Sequence, residues 1–187
     1  MNSLKRFTII GIIFVIIAGT ISHFVYEWTG NNAFAGLFFP VGESTWEHIK
    51  LLFFPMLVYS VYMTIKLRTG FPHILPALSG GLLAGSFAIP VIFYSYRGIL
   101  GKDYTALDIA TFAASVFLAF FTAYRLSGFR FSPAGRRLLV IAVIFLTVCF
   151  FVFTCHPPKM GIFKEPAASS RTHISFSSSS VPIYFEG

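Results

Sequence analysis

Residues 40–67, Pro40-Val41-Gly42-Glu43-Ser44-Thr45-Trp46-Glu47-His48-Ile49-Lys50 followed by LLFFPMLVYSVYMTIKL, begin with a dense polar group and continue as an almost unbroken apolar run. Ser44-x-x-Glu47 has the form of a capping box. The Ser44 hydroxyl accepts from the Glu47 N–H, and the Glu47 carboxylate reaches back to the Ser44 N–H. A helix therefore starts near Thr45. A bilayer crossing needs roughly 20 apolar residues, within a range of about 17–25, and Thr45 to Leu67 meets that length. The polar head of this helix is partly explained by local tasks. Lys50 is placed to pair with Glu47 on one helical face, and Trp46 sits where aromatic residues anchor spans to headgroups. Glu43 and His48 have no such local task.

Working outward, four more runs pass the same test: about Phe7 to Tyr26, His73 to Tyr96, Thr105 to Tyr124 and Leu138 to Cys155. The chain of 187 residues is 56% apolar and 18% aromatic, with only 11% charged residues, and it holds 24 Phe. A soluble domain has too little interior to hide that much apolar surface. The expected fold is an all-α, polytopic transmembrane helical bundle of five spans in one domain, residues 1–166, with the lipid bilayer as its main partner. Lys5 and Arg6 ahead of the first run resemble the start of a secretory signal. That run is longer than a signal core and lacks a small-x-small cleavage site, so a retained span is expected. Cys149 and Cys155 lack CxxC spacing and read as packing residues.

The net charge of +7 does not indicate nucleic acid, because the basic residues form short clusters between apolar runs and not one stripe interleaved with aromatics. Their distribution sets an orientation instead. Lys5, Arg6, Lys66, Arg68, Arg125, Arg130, Arg136 and Arg137 fall at one set of span ends with no acid, and all seven Asp and Glu fall in the other set. Positive charge stays cytoplasmic, so the N-terminus is expected inside and the C-terminus outside a cell membrane. In the third span Ala77, Gly81 and Gly85 recur every four residues and form a small-residue seam. Such a seam serves an internal helix contact, a homo-oligomer or a membrane complex partner. Pro72, Pro76 and Pro90 in the same region are tolerable where neighbours satisfy the freed carbonyls. After Pro166 the composition changes to seven Ser in 21 residues, which reads as a disordered tail, or as a frameshift or tag scar given the terminal Tyr-Phe-Glu-Gly.

Topology then brings polar residues to one membrane face. His48 lies in the first turn of the second span, where the positive helix end disfavours imidazolium and leaves the ring able to ligate a metal or accept a proton. His23 and Glu27, four apart, share a face at the outer end of the first span. Tyr96 and Arg97 end the third span. Asp103 and Asp108 flank the start of the fourth, where Thr105-x-x-Asp108 reads as another cap, and His156 follows the fifth. Ionisable groups at membrane depth are costly and face a cavity or each other. The candidate ligand site is accordingly His23, Glu27, Glu43, His48 and His156. A divalent metal is a candidate cofactor, with His23, His48 and His156 as its ligands and Glu43 as a base on bound water. No HExxH, G-x-S-x-G, phosphate loop or dinucleotide fingerprint is present.

The blocks HFVYEWTGNNAFAGLFFPVGESTWEHIKLLFFPML, FYSYRGILGKDYTALDI and HPPKMGIFKEP resemble the DUF6512 family of bacterial multi-span membrane proteins. The resemblance runs to about Pro166 and is most specific in ESTWEHIKLLFFP. It implies the membrane class and a bacterial inner-membrane address; the family has no assigned activity and implies no mechanism. The Ser-rich ending departs from the family's short, turn-rich one. Three functions are compatible with these residues: binding or transport of a small ligand or ion at the extracytoplasmic face, a structural subunit of a membrane complex, and a membrane-embedded zinc-type hydrolase.

Overall fold

Five long apolar helices and one short one account for most of residues 3–164, the part of the chain described by the computed structural model. They are α1 (Ser3–Trp28), α2 (Ala33–Phe38), α3 (Thr45–Leu67), α4 (Ile74–Leu100), α5 (Thr105–Leu126) and α6 (Pro133–Cys155), followed by a single 3-10 turn, Gly161–Phe163. All but α2 are long and apolar enough to cross a membrane, and the protein is an integral membrane protein whose described residues form helices and no strand. The Ser-rich ending lies outside the described residues.

Helix ends depart from the apolar runs where capping chemistry decides them. The last span begins at Pro133 and not at Leu138, because Ser132 accepts from the Gly135 N–H at 3.1 Å and Pro133 occupies the first helical position. Arg136 and Arg137 thereby join the helix's first turns. The third span continues past Tyr96 to Leu100, where Gly101 at φ 70° closes it by donating to the Arg97 carbonyl. Hydropathy alone does not reveal α2; its start is set by Asn32, whose side chain accepts from Phe34 N and Ala35 N.

Consecutive spans run antiparallel, as their contacts show. Gly11 of α1 faces Tyr59 of α3, and Gly19 faces Leu51. Along α4 and α5, Gly81 meets Ala119 and Ala123 while Gly85 meets Ser115 and Ala119. Phe54 of α3 stacks on Phe151 of α6. One end of the bundle, the acidic end, therefore collects the C-termini of α1, α4 and α6 with the N-termini of α3 and α5. The basic end holds the opposite termini.

Along α1 the small residues turn inward and the large apolar ones outward. The buried stripe of α1 is Leu4, Thr8, Gly11, Val15, Gly19 and Ser22, whereas Ile9, Ile10, Ile13, Phe14, Ile17 and Ile21 are exposed. Large apolar groups face lipid and small ones let backbones approach. The centre belongs to α3 and α4, with 56% and 61% of their most apolar windows buried against 11% for α6. Pro55 inside α3 removes the N–H that would bond the Leu51 carbonyl, and that oxygen lies against Gly19, where a Cβ would come within 2.5 Å of it.

Of the uses open to the small-residue seam, the internal helix contact is the one it serves. Ala77 is wholly buried, and a Cβ on Gly81 or Gly85 would collide with α5, so these residues are not available to a partner. Cys149 and Cys155 are free thiols; Cys149 is half-buried, but Cys155 is exposed and does not pack as expected.

Candidate functional site

The start of α3 organises the acidic end. Ser44 accepts from the Glu47 N–H at 3.3 Å, the first half of the capping box. The return half does not form as expected: Glu47 Oε2 accepts from Val41 N at 2.9 Å and from Lys50 Nζ at 2.7 Å. The reason is Lys50, which is completely buried and needs a counter-charge more than Ser44 N–H needs an acceptor. Its ammonium also donates to the Gly36 carbonyl at 3.0 Å and to Thr154 Oγ1 at 2.6 Å. Three donors thus meet three acceptors, and the Thr154 hydroxyl in turn donates to the Phe150 carbonyl. This network ties α2, the 39–44 loop, α3 and α6 together. Trp46, in the first turn of α3, packs on Phe150, Phe153 and Phe163 at 4.8–5.5 Å between ring centroids.

On the other side of the same helical turn, His48 Nδ1 lies 3.0 Å from the Ser44 carbonyl. A carbonyl only accepts, so Nδ1 carries the proton and Nε2 is turned toward Glu43. The His48 Nε2 to Glu43 Oε2 distance is 3.5 Å. From α1, His23 Nε2 approaches the other carboxylate oxygen at 3.9 Å, and the two imidazole rings are 5.6 Å apart. The three side chains are 21–30% exposed, and one ligand atom from each lies within 4.8 Å of the others. Donor atoms around a tetrahedral zinc are separated by roughly 3.3 Å, given metal–nitrogen bonds of about 2.0–2.1 Å, so the cluster is close to ligand spacing.

With Nδ1 donating to Ser44, His48 presents its Nε2 to the Glu43 carboxylate, so a cation between the two would be held by both. The Nδ1–H to backbone carbonyl bond is the contact that fixes the tautomer and orientation of a metal-ligating histidine.

Of the residues singled out in the sequence, the structure brings together His23, Glu43 and His48. His156 is an exposed residue at the C-terminal cap of α6, and Glu27 is exposed one turn beyond His23; neither is a member of the three-ligand group. The expected cap at Thr105-x-x-Asp108 is replaced, because Tyr104 precedes the helix with no side-chain cap and Asp108 accepts from the Tyr96 hydroxyl. Beside it Arg97 pairs with Asp103 at 3.0 Å. Sequence reasoning missed the depth of Lys50 and its partners Gly36 and Thr154. The available signal was a lysine one turn inside an apolar run, where it cannot stay without acceptors.

The chain belongs to the family described as "Family of unknown function (DUF6512)", whose model matches residues 1–171. Neither a curated protein nor a solved structure matches it.

Proposed function

We propose that this integral membrane protein binds a divalent metal ion of the zinc type through His23, His48 and Glu43, at an acidic end that faces the extracytoplasmic side of a bacterial inner membrane. The observation that supports this most is the convergence of His48 Nε2 and His23 Nε2 on the two oxygens of one carboxylate, with His48 held from behind by Ser44. Glu43 is a ligand in this reading and not the base on bound water. Two imidazoles and a carboxylate suit zinc and neighbouring transition ions and leave a coordination position open for water or a small ligand. The function that follows is capture of the ion, or of a small ligand carried on it, for exchange at the membrane surface.

The open position favours a second reading, a membrane-embedded hydrolase in which the bound ion activates water. It shares the ligand set and differs only in turnover of a substrate that chelation abolishes.

The deciding experiment is metal analysis of the full chain purified in detergent, then stripped and titrated with zinc. One ion per chain is expected, with binding lost in His48→Ala and in Glu43→Ala while both variants remain monodisperse. A stripped wild type that takes up no zinc, or variants that bind it as tightly as the wild type, overturns the proposal.

A further inference from the structure

Among the described residues, the basic end contains no carboxylate to pair with its cations. No Asp or Glu occurs between Glu47 and Asp103, nor between Asp108 and Glu165. The first turns of α4 and α6 lie side by side here, and between them is a cleft of about 400 Å³ lined by Leu75, Pro76, Arg136, Arg137, Val140 and Ile141. Apart from the two arginines its lining is apolar, and Ile141 of that lining and Ile144 one turn on are exposed on α6. Two helix N-termini present their positive ends to the same place, and α4 begins without a side-chain cap. The one polar contact that the arginines make with the described chain is Arg137 Nε donating to the Pro133 carbonyl at 3.3 Å.

We infer that this cleft seats an anionic phospholipid, with its phosphate on Arg136 and Arg137 and one acyl chain on Val140 and Ile141. Charge complementarity selects the head, since two guanidinium groups that meet no carboxylate among the described residues match phosphate oxygens. The apolar lining selects a lipid over a free anion, and basic pockets between spans are a recurrent form of headgroup recognition. This site is independent of the metal cluster at the other end.

The test uses the full chain in a zwitterionic detergent, with binding followed by native mass spectrometry and by thermal shift. Phosphatidylglycerol is compared with phosphatidylcholine of the same acyl chains and with inorganic phosphate alone. The wild type should retain phosphatidylglycerol over phosphatidylcholine and show no shift with phosphate. Arg136→Gln with Arg137→Gln should weaken phosphatidylglycerol binding roughly fivefold per charge, about 25-fold together. Val140→Trp, which fills the cleft and keeps both charges, should also lose the lipid. Arg125→Gln with Arg130→Gln removes the same charge outside the cleft and should leave binding intact. Equal affinity for the two lipids, equal loss in the Arg125/Arg130 variant, or a full response to phosphate alone overturns the inference.

Discussion

An ammonium out of water persists only when each N–H has an acceptor, and Lys50 has Glu47, Gly36 and Thr154. Removing one partner strands the other as an uncompensated buried charge. Lys50→Met and Glu47→Ala should each cost about 3–5 kcal/mol, whereas Ser44→Ala, which loses only a cap, should cost about 0.5–2 kcal/mol. Denaturation in detergent provides the ranking, and Lys50→Met combined with Glu47→Leu should cost less than the sum of the single changes. This exceeds what a capping box alone would assign to Glu47. Across the same turn the order of effects reverses. His48→Ala and Glu43→Ala should leave stability nearly unchanged and abolish metal uptake. The sign of the pH dependence is also determined. Protons and metal compete for the same imidazole lone pairs, so acidification should release the ion and return to neutral pH should restore it. Equilibrium dialysis against zinc across a pH series measures this, and pH-independent retention would exclude histidine ligation.

Elements are joined by close backbone approach, and the tightest is α4 on α5. A Cβ on Gly85 would come 2.5 Å from that of Ala119, and one on Gly81 would run into the Ala119 carbonyl and Ala123. Gly81→Leu should therefore destabilise the protein by about 1–3 kcal/mol or more, because overpacked helices must separate. Gly98 of the same helix has nothing within 4 Å of its would-be Cβ. Gly98→Ala should be neutral or stabilising by about 0.5–1 kcal/mol through backbone entropy alone. Thermal melts of the two variants separate a packing role from a propensity effect. The pairing of Pro55 with Gly19 follows the same logic, since the carbonyl freed by one is accommodated by the missing side chain of the other.

For the molecule as a whole, five spans leave Ser3 and Cys155 at opposite ends of the bundle. The acid-free basic end is expected in the cytoplasm. A periplasm-active phosphatase fused after Pro166 should be active, and the same enzyme inserted in the α5–α6 loop should be silent. The reverse pattern would invert the bundle and put the histidine cluster inside. On the two proposals made above, function divides by end, with the ion site at the acidic end and the lipid site in the arginine-lined cleft at the basic end.

The membrane class, the five spans, the seam of small residues and the concentration of polar groups at one end were all legible in the sequence. Each is a property of one window of chain, and burial of about 20 residues in hydrocarbon is a local sum that no distant contact needs to complete. The start of α3 was half legible: Ser44 caps it as its spacing dictates, but Glu47 turns to Val41 and Lys50. What the tertiary structure decided were the partnerships. Thr154 reaches Lys50 across 104 residues, Gly81 and Gly85 face α5, and Glu43, with His156 outside the group, joins His23 and His48. Periodicity puts a side chain on a helical face, but which neighbour meets that face depends on how five similar apolar cylinders pack. That choice rests on steric fit and on the need of each buried polar group for a partner, and neither is written in any single segment.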